Sequence, residues 1–290
     1  MDNLDVRIVA AIVAAVTSVI TLGISLLFRS FWEKHFHVFK LEEEYKYEQR
    51  KKLKEILSRN KIQLLNSCES LNFRLWNFTT HYRDGWHHVA GKYDNAGYYF
   101  SSFVYRFIAV FAWVKKIENE MVYLDTTIAT KRDMEFIKFL RLFPQLLCDL
   151  ILFKGFEYDP NYQQDHFFAN NLDYMAECII KGESIYTFPE FEQYFKELQE
   201  HVCHACRFID GISPDEDRLR WDRLQMFHIA LMVFLNVFGY DFQKTSDEKF
   251  KEIINRPRRS KLIQNFIEMV ERNKLSKQKE FQRTLRIITR

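Results

Sequence analysis

A long run of residues without a charge, from position 8 to position 28, constrains this chain more than any other feature. The run is rich in Val, Ile, Ala and Leu, and a helix of this length would span a hydrocarbon layer of about 30 Å. A cleavable signal peptide is the main alternative. However, the start is acidic (Asp2 and Asp5), the run exceeds a normal signal core, and no small-residue cleavage site follows it. The sequence therefore predicts a transmembrane anchor over residues 1–30.

The charges on the two sides of this run predict its orientation. Only Arg7 precedes it, whereas many basic residues follow within residues 31–60. Positive residues tend to stay on the cytoplasmic side, so we expect the N-terminus outside and the bulk of the chain in the cytoplasm. Arg29 and Trp32 then fall at the membrane surface, and residues 31–60 form a charged juxtamembrane stalk helix.

The rest of the chain contains few residues that interrupt helices. Only 8 Gly and 5 Pro occur in 290 residues, of which 47% are hydrophobic, so one substantial helical core is expected. The predicted fold class is all-α, with a single N-terminal transmembrane helix followed by a cytosolic helical bundle. The five cysteines follow the predicted anchor, where a reducing cytoplasm would keep them as thiols.

Apolar residues recur at three and four residue steps in two stretches, as on one face of a helix. The first stripe is Leu65, Cys68, Leu71, Leu75 and Phe78, and the second is Phe103, Phe107, Val110, Val114, Ile117, Met121 and Leu124. A third apolar run, residues 226–238, is too short to cross a bilayer. It predicts a central buried helix between a capping signal at Ser213 and Gly239. The cytosolic helical domain is expected over residues 61–255, with about seven to nine helices.

Residues 256–290 carry many more basic than acidic side chains and place apolar residues at near-helical spacing. They predict a basic amphipathic C-terminal helix, with Arg258, Arg259, Lys274 and Lys277 as candidates for contact with the membrane surface. A solvated helix that packs on the domain by its apolar face is the simplest interpretation and is favoured over membrane contact. Binding to nucleic acid phosphates is a further one, and is less favoured.

One compact group of residues has the character of metal ligands. His201, Cys203, His204 and Cys206 include a CxxC pair, which can supply two thiolates to zinc. A closed site needs four ligands, and no second CxxC pair is present. Packing on a helix face therefore explains Cys203 and Cys206 better than a metal does, and no cofactor is predicted.

Arg83, Asp84 and His88 resemble the Arg, polar, three spacers, His pattern of helical HEPN-type ribonucleases. That resemblance implies that Arg83 and His88 act on a phosphate and a 2′-hydroxyl. Arg223 and His228 have the same spacing, and chance alone produces such pairs in a chain with 9 His. Gly85 also interrupts the helix on which the pattern normally lies.

Three stretches resemble a family of bacterial proteins of unknown function that pair an N-terminal membrane helix with a cytosolic helical domain. They are SLNFRLWNF, FAWVKKIENEMVYLD and residues 224–238. The matching residues in the first two are Leu71, Arg74, Leu75, Asn77, Phe111, Trp113, Val114, Ile117, Glu120, Leu124 and Asp125. The resemblance covers residues 54–238 and implies this architecture, a bacterial source and hence the inner (plasma) membrane. It implies no activity and no site residues.

Four polar residues within these stretches, Arg74, Asn77, Glu120 and Asp125, flank the apolar stripes. We expect a buried or half-buried network of ion pairs and hydrogen bonds that fixes the register of the helices. If the four instead line a pocket, they are the first candidates for a ligand site.

The sequence contains no phosphate-binding Gly loop, GxSxG elbow or HExxH motif, so an enzyme is not the favoured interpretation. We predict a membrane-anchored cytosolic helical interaction module that acts in bacterial stress or phage (antiviral) defence as an effector or sensor. Its predicted partners are membrane lipid and either a protein partner or further copies of itself. A membrane-localised HEPN-like ribonuclease and a passive membrane scaffold remain as alternatives.

Overall fold

The computed structural model describes residues 6–158, 165–258 and 260–288. It is 77% helical, and its only described sheet is one short hairpin, which confirms the all-α prediction. The chain divides into two compact units, Met1–Lys52 and Leu53–Arg290.

The first unit is formed by the early part of helix α1 (Val6–His81), and its side chains are almost all exposed. Within the uncharged run, three of the four hydroxyl side chains, those of Thr17, Ser18 and Thr21, each donate a hydrogen bond to the carbonyl four residues earlier. These polar groups are therefore satisfied within the helix itself. Further along, Arg29 and Glu33 form an ion pair one turn apart on the exposed surface.

The second unit begins where α1 starts to bury side chains, with Leu53 and Leu57. The predicted stalk of residues 31–60 thus overlaps the bundle by about two turns. The remaining elements are α2 (Tyr98–Met121), α3 (Lys131–Cys148), α4 (Ala169–Glu177), β1 (Ile180–Lys181), β2 (Ser184–Ile185), α5 (Phe188–Gln193), α6 (Phe195–Ile209), α7 (Arg220–Phe238), α8 (Asp247–Ile254), α9 (Ser260–Arg272) and α10 (Lys279–Ile288).

Helix α7 is the centre of this unit. Every one of its residues except Val237 is buried, so other elements must cover it on all sides. Phe227 packs against Phe107 and Phe111 of α2, and Phe234 packs against side chains of α3. Helices α8, α9 and α10 also contact α7. The prediction of a central buried helix that ends before Gly239 is confirmed.

Arg223, on α7, is fully buried and has no carboxylate as a hydrogen-bond partner among the described residues. Its guanidinium donates to the carbonyl oxygens of Leu146 (2.7 Å) and Asp149 (3.2 Å) at the end of α3, and lies 4.1 Å from the ring centroid of Phe153. Carbonyls at a helix C-terminus carry partial negative charge and attract a cation. Burial lowers the pKa of Arg223 to about 9. The side chain ties α7 to the C-terminal end of α3.

The structure differs from the sequence prediction at the start of α7 and in the basic tail. The capping signal at Ser213 forms a turn, in which the Ser213 hydroxyl accepts from the Asp215 amide, and the helix begins only at Arg220. The basic tail forms two helices, α9 and α10, instead of one, because Lys274 turns the chain with a φ of +54°. Apolar residues of both helices are buried in the domain, namely Leu262, Phe266, Met269, Val270 and Phe281, as is Leu275 between the helices.

His228 links the centre of α7 to α1. Its Nε2 lies 2.8 Å from Asn72 Oδ1, which makes Nε2 the protonated nitrogen, while the buried Nδ1 has no partner among the described residues. A doubly protonated ring would bury an unsatisfied N–H. Burial first, and then the positive charge of Arg256, lower the pKa of His228 to about 3.

We predict that His228 makes the folded state less stable in acid. The ring stays neutral in the folded protein but takes up a proton near pH 6.5 after unfolding, so its contribution is lost as the pH falls from 6.5 towards 3. Between pH 7 and pH 5 the free energy of unfolding should drop by about 2 kcal/mol more in the wild type than in His228→Gln. Urea denaturation at both pH values measures this. Substitution of the exposed His37 by Gln is the control and should follow the wild type. An equal loss of unfolding free energy in His228→Gln and in the wild type would contradict a neutral, buried His228.

Candidate functional site

A cleft of about 660 Å³ lies between α1, α2 and the β1–β2 hairpin. Its lining residues are Arg59, Asn60, Gln63, Asn66, Ser67, Ser70, Tyr105, Arg106, Ala109, Trp113 and residues 183–187. Most of these side chains are polar. All of them belong to the second unit, and the volume falls in the range of small-molecule sites.

Two hydrogen bonds define the register of the helices that form the cleft. Arg74 Nη2 donates to Ser102 Oγ at 2.8 Å, and Asn60 Nδ2 donates to Glu120 Oε2 at 2.9 Å. Higher numbers on α1 therefore face lower numbers on α2, and the helices are antiparallel. By this register Arg106 lies at the level of Ser70.

The hairpin closes the third side of the cleft. Gly182 allows the two-residue turn through its φ of +53°, and the Tyr105 hydroxyl donates to the carbonyl of Tyr186 at 2.8 Å. Lys116 also donates to the carbonyl of Gly182. These contacts hold the hairpin against α2.

Glu120 is the centre of an ion-pair network at one end of the cleft. Lys116 Nζ lies 2.7 Å from its Oε1, while Arg59 and Asn60 donate to its Oε2. Burial alone would raise the pKa of Glu120, but the hydrogen bonds from Lys116 and Asn60 and the charges of Lys116 and Arg59 outweigh it and lower the pKa. The carboxylate therefore stays ionised and joins α1 to α2.

The other end of the cleft has polar groups without partners. The guanidinium of Arg106 is half-buried, yet it forms no ion pair or hydrogen bond with any described residue. The side chains of Gln63, Asn66, Ser67 and Ser70 likewise make no hydrogen bond within the described part of the chain. The sequence analysis did not predict this polar face of the cleft. Two features of the sequence could have indicated it: the polar residues that alternate with the first apolar stripe, and Arg106 within the second apolar stripe.

The four predicted pocket residues do not come together. Arg74 is buried, Asn77 is exposed, and Asp125 accepts from the Thr127 amide in a turn after α2. None of them lines the cleft, although Glu120 contacts Arg59 and Asn60, which do. For Glu120 the structure agrees with the expected network between helices.

Arg83 and His88 are both exposed, but no contact joins them among the described residues. Helix α1 ends at His81, and Gly85 takes a φ of +73°, so the two side chains do not share a helix. The loop that carries His88 is fixed, because the Asp210 carboxylate accepts from the backbone amides of Val89 and Gly91 at 2.8 Å each. The second pair with this spacing, on α7, is fully buried.

Cys203 and Cys206 lie on α6, where Cys206 is buried and Cys203 half-buried. Burial raises the pKa of the Cys206 thiol. His204 Nε2 lies 3.2 Å from Asn171 Nδ2, and the His201 ring packs edge-on against Tyr174. Within the described ranges, no three His, Cys, Asp or Glu side chains are grouped to hold a metal ion.

The predicted membrane-surface residues divide into two groups. Arg29 and Trp32 are exposed, as are Lys274 and Lys277. Arg258 is engaged within the domain, since its backbone amide donates to the Asp222 carboxylate at 2.6 Å and its guanidinium to the carbonyl of Arg218. Arg259 lies outside the described residues.

The start of α1 is long and apolar enough to cross a membrane. An 18-residue window within it has a mean hydropathy of 2.4, and none of it is buried. A signal sequence meets the same criterion of length and composition. The core helix of a soluble protein can also meet this criterion.

No protein-family model matches the chain, and neither does any curated protein or solved structure. The resemblance to a family of bacterial membrane proteins therefore stays a prediction.

We predict that Glu120 stabilises the domain and that the exposed Glu183, which contacts the same basic residues, contributes little. Glu120→Gln leaves the nearly buried Lys116 without its close counter-charge, so the free energy of unfolding should fall by about 1–3 kcal/mol. Glu183 reaches the same Arg59 and Lys116, but its side chain is 76% exposed. Glu183→Gln, the matched control, should cost less than about 1 kcal/mol in urea denaturation. Equal losses for both variants would contradict this.

Proposed function

We propose that this protein is a membrane-anchored helical interaction module. The observation that carries the proposal is the apolar surface of residues 8–28, in which each large aliphatic side chain remains about half or more exposed. Ile12, Val16 and Ile20, for example, are 55%, 52% and 54% exposed. Water disfavours a continuous apolar surface of this length, whereas the hydrocarbon layer of a bilayer accepts it.

The backbone of this segment suits a bilayer as well. A helix satisfies its own N–H and C=O groups, which hydrocarbon cannot do, and the hydroxyls of Thr17, Ser18 and Thr21 bond within the helix. The basic residues after position 28 favour a domain on the cytoplasmic side. Under this proposal Arg29 and Trp32 lie at the headgroup layer.

Self-association through the anchor is the form of interaction that the sequence favours. Small residues, Ala10, Ala11, Ala14, Ala15 and Ser18, recur on the helix and allow a second helix to approach closely. Assembly of several anchors would give the module a route to permeabilise the membrane. A role as a bacterial stress or phage-defence effector would follow from such an activity.

We predict that residues 8–28 hold the protein in the membrane. The double variant Val16→Arg/Ile20→Arg places two charges in the middle of the run, each costing about 2.5–3.5 kcal/mol in a bilayer. The wild type should stay in the membrane pellet after alkaline carbonate extraction, and this variant should move to the supernatant. The control, Val122→Arg/Phe242→Arg, adds the same charges at two exposed apolar side chains of the second unit. It should stay in the pellet. An anchor variant that resists extraction would contradict the proposal.

A second experiment distinguishes a membrane effector from a ribonuclease and from a passive scaffold. We expect overexpression of the wild type to slow growth and depolarise a bacterial host, and expect His88→Ala to act in the same way. The anchor variant Val16→Arg/Ile20→Arg should be harmless. Growth curves with a voltage-sensitive dye measure both effects. Toxicity that survives in the anchor variant but is lost in His88→Ala would support the ribonuclease instead, and no growth effect in any chain would support a passive scaffold.

A further inference from the structure

The cleft between α1, α2 and the hairpin contains a positive charge that the described part of the protein does not neutralise. Arg106 contributes to its lining, and Arg74 lies one helical turn beyond Ser70 on the facing helix. Neither arginine forms an ion pair with a described carboxylate. Arg74 is only 7% exposed, and its Nε has no hydrogen-bond partner among the described residues.

The two guanidinium groups are close enough to affect one another. Burial mainly, and then the positive charge of Arg106, lower the pKa of Arg74. Arg74 finds partial compensation in the ring of Tyr99, whose centroid is 4.2 Å from its guanidinium carbon, and in the Ser102 hydroxyl. An anion beside Arg106 would relieve this repulsion, because it would supply the charge that both arginines lack.

The two ends of the cleft differ in this respect. At the far end, the arginine and lysine are neutralised, since Arg59 and Lys116 both pair with Glu120 and Glu183. An anion is therefore bound most favourably at the Arg106 end of the cleft. There the hydroxyls of Ser67 and Ser70 and the amide of Asn66, which have no partner among the described residues, can donate further hydrogen bonds.

We propose that this cleft binds a small phosphorylated metabolite, with its phosphate beside Arg106. A guanidinium matches a phosphate in two parallel hydrogen bonds, and a phosphate offers enough acceptor oxygens for the neighbouring serines and amide as well. The remainder of the ligand extends along α2 past Ala109 towards Trp113, seven residues or about 10 Å from Arg106. A volume of about 660 Å³ suits a molecule of the size of a mononucleotide.

This site would give the proposed membrane module a chemical input, but its existence does not depend on the anchor. The ligand contacts both α1 and α2 as well as the hairpin. Binding therefore favours the conformation in which these three elements are closed on one another.

The test uses the full chain in nanodiscs of phosphatidylcholine and isothermal titration calorimetry. The probes are adenosine 5′-monophosphate with adenosine as its matched partner, and glucose 6-phosphate with glucose. We expect at least one phosphorylated probe to bind, and its partner without phosphate to bind at least about tenfold more weakly. Arg106→Gln should weaken binding at least about tenfold. Arg141→Gln, which removes an exposed arginine of α3 that has no ion pair with a described residue, should bind like the wild type.

Three results would overturn the proposal. The first is that neither phosphorylated probe binds at 10 mM. The second is that Arg106→Gln binds as well as the wild type, with circular dichroism showing that both are folded. The third comes from nanodiscs that also contain phosphatidylglycerol: loss of probe binding there would identify a lipid phosphate as the occupant instead of a soluble metabolite. Ser70→Ala provides a second variant, for which a several-fold loss is expected.

Discussion

Helix α7 is buried around almost its whole circumference, and the second unit is arranged so that other helices keep water away from it. If it were exposed to water, the hydrophobic free energy gained by burying its apolar side chains would be lost. Its aromatic side chains contact α2 and α3, while α8, α9 and α10 also pack against it. The tail helices are thus part of the core, which leaves their basic outer faces, but not their apolar faces, available to any partner.

Polar groups in this domain behave in two different ways. Arg223 and His228 lie in the core and are partnered by α3 and α1, so they set where α7 lies without reaching solvent. Glu120 does the same at the surface between α1 and α2. Arg106 and the α1 residues beside it belong to the second kind, because they line a cleft and have no partner among the described residues. Arg223 and Glu120 have partners within the fold, whereas Arg106 has none among the described residues, and this difference marks the cleft as a candidate site.

The sequence predicted those features that depend on local pattern. The apolar periodicity located α1 and α2, and the length of the run before Gly239 identified α7 as a core helix. The start of α7 was misplaced because Ser213 caps a turn, a role that its side chain can fill as well as a helix cap. The tail was expected as one helix because no Gly or Pro marks the turn at Lys274. The cleft depends on which residues of α1 face α2, and only tertiary packing decides that.

Under the proposed function, residues 8–28 cross a bilayer and leave the domain in the cytoplasm. Digestion by proteinase K of sealed inner-membrane vesicles, followed by mass spectrometry, tests it most directly. In inverted vesicles we expect the domain to be degraded and a fragment containing residues 8–28 to be protected. In right-side-out spheroplasts the domain should stay intact. Degradation of residues 8–28 in inverted vesicles, or loss of the domain in intact spheroplasts, would contradict this topology.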